Sequence, residues 1–252
     1  MKRPAQIIVY TLCAGLIISV WFAAVSSADS PSSCVTCHRT VAGVKYLEHD
    51  FADWSQSVHA KAGISCEACH GGNPLAKDAA EAHKGLKPST DPMSPVYFTH
   101  IPATCGTCHA AEFKAFQKSA HFKELESSGR GPNCVSCHGS MANRILAPRD
   151  LELTCNLCHR KPTQASATMM AMGNAGTSLD RLKKMLDEAR ARHVDIASQE
   201  KAYTEAMALY HRALEDWHTF KMIEVLKTSQ DITKRANTAM NEVRLKEQQQ
   251  KP

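Results

Sequence analysis

Ten of the eleven cysteines in this 252-residue sequence fall in five copies of one motif, Cys-x-x-Cys-His. Two thiols at this spacing can form thioether bonds with the two vinyl groups of a porphyrin, while the adjacent imidazole binds its iron. The pattern is that of c-type haem attachment and predicts five covalently bound haem c groups. The motifs are Cys34/Cys37-His38, Cys66/Cys69-His70, Cys105/Cys108-His109, Cys134/Cys137-His138 and Cys155/Cys158-His159.

Zinc knuckles, a redox-active Cys-x-x-Cys and a disulfide framework are the alternative uses of paired cysteines. None of these requires a histidine directly after the second cysteine, yet all five motifs have one. The eleventh cysteine, Cys13, lies in an apolar leader, so the motif region keeps no cysteine for a disulfide or a catalytic thiol. The cysteine arithmetic therefore favours haem.

Eight histidines outside the motifs are candidates for the second axial ligand of each iron. His59 and His121 rank first because an internal repeat places them equivalently. His83 follows the second motif and His100 precedes the third, so both are next in rank. His49 is weaker because its two neighbours are acidic, which suggests a solvated turn.

A helical pattern near the C-terminus places His211 and His218 on one face, about 10.5 Å apart along the axis. One helix could then offer ligands to haems at two depths, or both histidines could lie at the edge of an aromatic helix core. The aromatic run Trp217-His218-Thr219-Phe220 favours His218. Methionine fills cores more often than it binds iron, which ranks the sulfur candidates lower; these are Met141, Met169, Met170 and Met172. The predicted iron ligands are the five motif histidines together with His59, His121, His100, His83 and His218.

The repeat consists of a haem motif, an aromatic-x-x-Ser-x-His segment, and a second motif that is followed by glycine. In the first unit the middle segment runs from Trp54 to His59, and in the second unit from Phe116 to His121. The fifth motif stands outside both units. Duplication of a two-haem unit, with one haem added, is the simplest account.

The N-terminus has Lys2 and Arg3, then an apolar run from Ile7 to Val25, then small residues suited to cleavage after Ala28. This is typical of a secretory signal. The run also approaches the roughly 20 residues that span a bilayer, so a retained membrane anchor is the alternative. Either way the sequence predicts an exported, periplasmic haem region.

Composition divides the remaining sequence into two parts. From Asp29 to about residue 162, turn-forming residues are scattered among few apolar ones, which predicts short helices and loops around haems that replace an ordinary core. From Ser178 onwards Gly, Pro and Cys are absent up to Lys251, and apolar residues recur at helical spacing behind a cap at Thr177 or Ser178. We predict a mainly α protein: a leader over 1–28, a pentahaem region over 29–176, and a long-helix hairpin or bundle over 177–252.

Net charge does not point to nucleic acid. Removing Lys2 and Arg3 lowers the formal charge from +5 to +3, and each haem adds two propionates. The partners expected instead are redox proteins, a membrane quinol-linked donor, and a second copy of the chain held through the C-terminal helices.

These residues resemble the multihaem cytochromes c of the hydroxylamine-oxidoreductase-linked tetrahaem type. Those proteins carry a similar aromatic-x-x-Ser-x-His-Ala pattern, here Trp54 to Ala60, and a Cys-x-x-Cys-His-Gly followed by a nearby histidine, here His83. The first unit also looks like part of the membrane-anchored quinol dehydrogenase cytochromes. The helical tail is similar to the one that follows the haems in octahaem and nitrite-reducing relatives.

The resemblance implies histidine-ligated, low-potential haems packed closely for electron transfer. Five haems match neither the four of the first family nor the eight of the larger ones, and the sequence contains no Cys-x-x-Cys-Lys. Two functions follow: an electron carrier between periplasmic or membrane partners, or a reductase or oxidase that acts on a small nitrogen or sulfur compound at one open haem. No constellation of acid–base residues in the sequence marks a catalytic site.

Overall fold

The computed structural model describes residues 32–40, 51–141, 146–161 and 163–249. Within these ranges the backbone forms helices, turns and loops, with no strand. The predicted mainly α fold is confirmed. The leader over 1–28 and the candidate ligand His49 lie outside the described residues.

The region that carries the motifs is built from short helices with few buried apolar side chains. The largest apolar group here lies on the two helices of the second repeat unit, where Phe116, Phe122 and Leu125 are buried. The helices described in this region are α1 (Ser33–His38), α2 (Phe51–Ser55), α3 (Val58–Lys61), α4 (Glu67–His70), α5 (Ala79–Ala82), α6 (Ile101–Gly106), α7 (Ala110–Phe116), α8 (Ala120–Ser128), α9 (Cys134–His138) and α10 (Pro148–Asn156).

Three long helices follow: α11 (Ala165–Ala191), α12 (Ala197–Asp216) and α13 (Met222–Gln249). A short 3₁₀ turn, Trp217–Thr219, links the last two. Helix α11 packs most extensively on α13, and α12 packs on both, which makes a three-helix bundle. Helix α10 packs on α11, while α7 packs on α12 and on the 3₁₀ turn, so the bundle is joined to the motif region.

The bundle core is the main apolar interior of the described chain. The predicted apolar faces of α11 and α13 are confirmed, since residues such as Leu182, Ile232 and Val243 have no exposed surface. On α12 the predicted face also turns inward at Ala206 and Ala213. The same helical spacing also predicts Leu214 on this face, and that prediction is wrong, because the residue is 39% exposed.

Helix α11 begins at Ala165, twelve residues before the predicted cap at Thr177. The helix continues through Gly176 because that glycine has a packing role: a Cβ there would lie 2.7 Å from the Tyr210 hydroxyl oxygen. Tyr210 of α12 therefore packs close to the α11 backbone. The predicted boundary between 176 and 177 falls inside a continuous helix, and the division into haem and helical domains stays a prediction.

None of the helices in the described ranges combines the length and the apolar content that crossing a membrane requires.

Candidate haem sites

The motifs adopt helical backbone geometry, which explains their spacing. At the second motif the N–H groups of Cys69 and His70 donate to the Cys66 carbonyl at 3.2 and 2.9 Å, and the third and fifth motifs have the same bonds at the same lengths. At 100° per residue, positions i, i+3 and i+4 fall within about 100° of one another around the axis. Both thiols and the imidazole therefore project from one side of a single turn.

Two glycines of the repeat end motif helices. Gly71 follows α4 at φ 77° and Gly139 follows α9 at φ 78°, and each comes directly after the motif histidine. Non-glycine residues rarely adopt this backbone conformation, so glycine lets the chain leave the motif without continuing the helix. The third and fifth motifs instead cross the C-terminal ends of α6 and α10.

Within the described residues, four motif histidines lie opposite a histidine from elsewhere in the chain. In each pair the two ring centroids are about the same distance apart, although the partners come from different elements. The pairs are His38 with His83 at 6.1 Å, His59 with His109 at 6.1 Å, His121 with His159 at 5.8 Å, and His138 with His218 at 6.2 Å.

This separation fits two imidazoles that share one iron. A histidine nitrogen binds a metal at about 2.0–2.1 Å, and the ring centre lies about 1.1 Å behind that nitrogen, so ligands on opposite sides of an iron have centroids about 6.3 Å apart. Ordinary aromatic pairs have centroids about 4.5–7 Å apart, a range that also contains these separations. What the four pairs share is that each sets a motif histidine opposite a second histidine at the spacing of axial ligands.

Each repeat unit positions its spare histidine by the same capping device. Ser57 is the N-cap of α3 and accepts a hydrogen bond from the Ala60 N–H at 3.0 Å; Ser119 caps α8 in the same way. Both serines are only 1% exposed. The serine of the predicted pattern is thus a helix cap that places the histidine two residues later in the first helical turn.

The pairing of these equivalent histidines follows one rule. His59 lies between the first and second motifs but faces His109 of the third, and His121 lies between the third and fourth but faces His159 of the fifth. Each unit therefore offers its histidine to the first motif of the next unit. In this respect the fifth motif behaves as the start of a third unit.

The other two partners come from less regular positions. His83 directly follows α5, whose first turn is capped by the Asp78 carboxylate, which accepts from the Glu81 N–H at 3.0 Å. His218 lies in the 3₁₀ turn, beside Trp217, which packs against the bundle core. A histidine at the end of α12 thus faces the fourth motif, and the role of His218 as an iron ligand stays a prediction.

Other candidate histidines fall outside these pairs. His100 lies with its Nδ1 3.0 Å from the Ser94 carbonyl oxygen and its ring against Tyr97; among the described residues it faces no motif histidine. His211 is exposed on α12 with its ring against Tyr210. His70, the motif histidine of the second site, belongs to none of the four pairs.

The motifs neighbour one another in sequence order. Burial raises the pKa of Cys66, and the charge of Cys34 raises it further. Burial also raises the pKa of Cys69, with Cys105 and Cys108 adding to the rise. Burial raises the pKa of Cys137, and Cys155 raises it further. Thioether formation would remove these thiol protons. The pKa shifts are useful here because each one identifies two motifs that lie close together.

The third and fourth motifs make the closest of these approaches. A hydrogen bond between the Cys105 and Cys134 side chains lowers the pKa of Cys105 to about 7 and raises that of Cys134. At the other end, the Ser32 hydroxyl donates to Glu67 at 2.8 Å, which ties the start of α1 to α4. The five sites therefore form a row from the first motif to the fifth.

Two predicted haem tethers at the ends of this row are exposed. Cys37 of the first motif and Cys158 of the fifth lie at the surface of the polypeptide, and Cys69 and Cys108 are exposed as well. Their location is the reason: the Cys37 carbonyl accepts from the Thr40 hydroxyl at 2.9 Å in the turn that ends α1, and Cys158 comes after the end of α10. An exposed thiol can still form a thioether with a haem vinyl group. Haem attachment at Cys37 and Cys158 stays a prediction.

Two of the non-motif histidines are half-buried and have one buried ring nitrogen without a hydrogen-bond partner. Nδ1 of His121 and Nδ1 of His218 both lack a partner of good geometry. Burial lowers the pKa of His121, with His159 adding to it, and burial together with His138 lowers the pKa of His218. Both effects favour the neutral imidazole, which is the form that binds metal.

Sequence reasoning missed Phe220. Its ring centroid lies 4.3 Å from that of His121. The aromatic run from Trp217 to Phe220 pointed to His218, but nothing in the sequence linked Phe220 to a histidine almost a hundred residues earlier. Met169 packs against a small apolar cluster with Phe220, while Met172 packs against the bundle core, so the structure gives both methionines packing roles.

Comparison with known proteins bears on the same residues. The family model described as "Cytochrome c554 and c-prime" matches residues 21–71 and 104–133. The two matched segments each contain the first motif and the aromatic-x-x-Ser-x-His segment of one repeat unit. The family model therefore matches corresponding parts of the two repeat units.

Two curated relatives are similar over about half of the chain. The C-type polyheme cytochrome OmcC of Geobacter sulfurreducens is 29% identical over 128 residues, which are 51% of this chain and 14% of OmcC. The cytochrome c-type protein NrfH of Wolinella succinogenes is 26% identical over 151 residues, which are 58% of this chain and 70% of NrfH. The chain thus spans only a small part of OmcC. No solved structure matches it significantly.

Proposed function

We propose that this chain, which belongs to the multihaem c-type cytochromes, carries electrons between redox partners along a row of five haems. The haem groups, when bound, supply reversible one-electron chemistry at iron. The polypeptide supplies the covalent tethers, the axial ligands, the order of the sites and the exclusion of water.

The four histidine pairs carry this proposal. We assign His38/His83, His109/His59, His138/His218 and His159/His121 as the axial ligands of the first, third, fourth and fifth sites, in the order motif histidine, then partner. Support comes from ring-centroid separations of 5.8–6.2 Å. Two strong protein ligands leave no position for a substrate at those four sites, which favours electron transfer over chemistry.

The candidates for the second site, at His70, are His49 and His100, although His100 faces no motif histidine among the described residues. The Nδ1 of His100 lies 3.0 Å from a backbone carbonyl oxygen, an arrangement that fixes the ring tautomer and leaves Nε2 as the metal-binding nitrogen. His49 lies outside the described residues. Single His49→Ala and His100→Ala variants decide between them, since one of the two should convert a single haem to the high-spin state.

The row of sites defines where partners exchange electrons. Because consecutive motifs neighbour one another from the first to the fifth, electrons enter and leave near the two ends. We place the protein outside the cytoplasm, with residues 1–28 as a cleaved signal or a retained anchor. A quinol-linked membrane donor is the partner that the resemblance of the first unit supports.

The test is spectroscopic. The purified protein should contain five haems, all low-spin when oxidised, and each of His59→Ala, His83→Ala, His121→Ala and His218→Ala should make one haem high-spin. His211→Ala, a histidine of the bundle surface, is the matched control and should leave the spectrum unchanged. Wild-type spectra in the four variants would refute the ligand assignment, and rapid turnover of nitrite or hydroxylamine by the wild type would refute the carrier.

A further inference from the structure

The turn between α12 and α13 serves two haem sites at once. His218 faces His138 of the fourth motif, and Phe220, two residues later, faces His121, the partner of the fifth motif histidine. The Phe220 and His121 rings meet at 75°, with their centroids 4.3 Å apart. This is the edge-to-face arrangement that aromatic pairs prefer.

Phe220 holds this position in a strained backbone conformation. It has φ 59° and ψ 22°, in the left-handed region that phenylalanine rarely adopts. The bonds around it fix the turn: the Phe220 N–H donates to the Trp217 carbonyl at 3.1 Å, and the buried Thr219 hydroxyl donates to the Asp216 carbonyl at 2.7 Å. Strain of this kind persists where the surroundings determine the conformation, and it is found at functional sites.

The ring of Phe220 also belongs to the fifth site through its packing. It lies against a small apolar cluster of Leu151, Ala165 and Met222, and Cys155, the first cysteine of the fifth motif, packs against the same cluster. On its other side Phe220 contacts Phe116, at the end of α7. The turn thus contacts the distal ligand of the fifth site and packs against the same cluster as Cys155, one of its tethers.

The distal ligand at this site lacks the usual means of orientation. Histidines that bind metals generally donate their second ring nitrogen to a carbonyl or carboxylate, which fixes the plane of the ring. Nδ1 of His121 is buried and has no such partner. The equivalent residue of the first unit, His59, has no aromatic ring against it among its described contacts except His109.

We propose that Phe220 is the positioning residue of the fifth haem site and that its ring, in place of a hydrogen bond, sets the plane of the His121 imidazole. This rests on the ligand assignment proposed above. The His121 and His159 planes are 59° apart. In a low-spin ferric haem with two imidazole ligands, the electron paramagnetic resonance g values depend on that angle, so a change in the His121 plane is directly measurable.

The experiment uses the full haem-loaded protein with three changes at this position. Phe220→Leu keeps apolar bulk but removes the ring, Phe220→Gly removes the ring and also relieves the left-handed backbone, and Phe220→Tyr keeps the ring. Phe113→Leu is the control for the fifth site, because Phe113 belongs to the same aromatic group but contacts Phe122 and packs against Gly106 of the third motif instead of His121. His121→Ala identifies which resonance belongs to the fifth site.

We expect Phe220→Leu and Phe220→Gly to shift the fifth-site g values and midpoint potential, with the other four haems unchanged. Phe220→Tyr should match the wild type, and Phe113→Leu should leave the fifth-site g values and midpoint potential unchanged. If both ring-removing variants carry five haems and reproduce the wild-type g values, the positioning role is refuted. If instead His121→Ala removes no low-spin resonance, the ligand assignment fails, which is a different outcome from failure of the positioning role.

Discussion

The buried capping serines provide a quantitative test of how local helix structure controls a haem ligand. Ser57 and Ser119 accept hydrogen bonds from the Ala60 and Phe122 N–H groups, each at 3.0 Å, and each serine precedes its histidine by two residues. Replacing such a cap by alanine costs about 1 kcal/mol. If the loss destabilises only the state in which the histidine binds iron, the equilibrium constant for that binding falls by a factor of about five.

The two caps should not respond equally. Helix α3 has four residues with no buried side chain, whereas α8 has nine residues and buries Phe122 and Leu125. The packing of α8 opposes fraying after the cap is lost, because the apolar contacts remain. We therefore expect Ser57→Ala to show the full effect of about fivefold and Ser119→Ala a smaller one.

The assay is carbon monoxide binding to the reduced protein, since carbon monoxide must displace the distal histidine. The apparent affinity at one haem should rise about fivefold in Ser57→Ala, while Ser57→Thr should restore the wild-type value. Ser55→Ala is the matched control, because the Ser55 hydroxyl is exposed and bonds only to the Ala52 carbonyl. An unchanged affinity in Ser57→Ala, or a larger effect in Ser119→Ala, would refute the reasoning.

Three further outcomes follow from the structure. Ile232→Ala should destabilise the bundle by about 2–5 kcal/mol in chemical denaturation because the side chain is 0% exposed, whereas Ile223→Ala on the same helix, 49% exposed, should cost far less. Gly139→Ala should lower the melting temperature because Gly139 has a φ of 78°. Gly173→Ala should raise it, since an added Cβ there meets nothing within 4 Å and alanine favours the interior of α11. A melting-temperature change of the same sign in both variants would contradict these expectations. Protein made without haem attachment should retain α11–α13 by circular dichroism and lose the short helices, because the apolar core lies in the bundle; full helicity without haem would contradict it.

The sequence predicted the apolar faces of the bundle well because their periodicity is local. Residues such as Leu182, Ile232 and Val243 recur at helical spacing, and all have no exposed surface. It misplaced the start of α11 because the last glycine, Gly176, lies just before the possible cap at Thr177 or Ser178. The reason for Gly176 lies on another helix, where Tyr210 needs the space of the missing Cβ.

The sequence by itself predicted the chemistry of this protein, since each of five Cys-x-x-Cys-His motifs offers two tethers and one iron ligand within a single helical turn. It also determined that His59 and His121 are equivalent. Only the tertiary structure decided which motif each of them faces, because His59 reaches His109 and His121 reaches His159 across separate elements. Spacing along the chain carries no information about such contacts, which depend on how the repeat units and the bundle pack together.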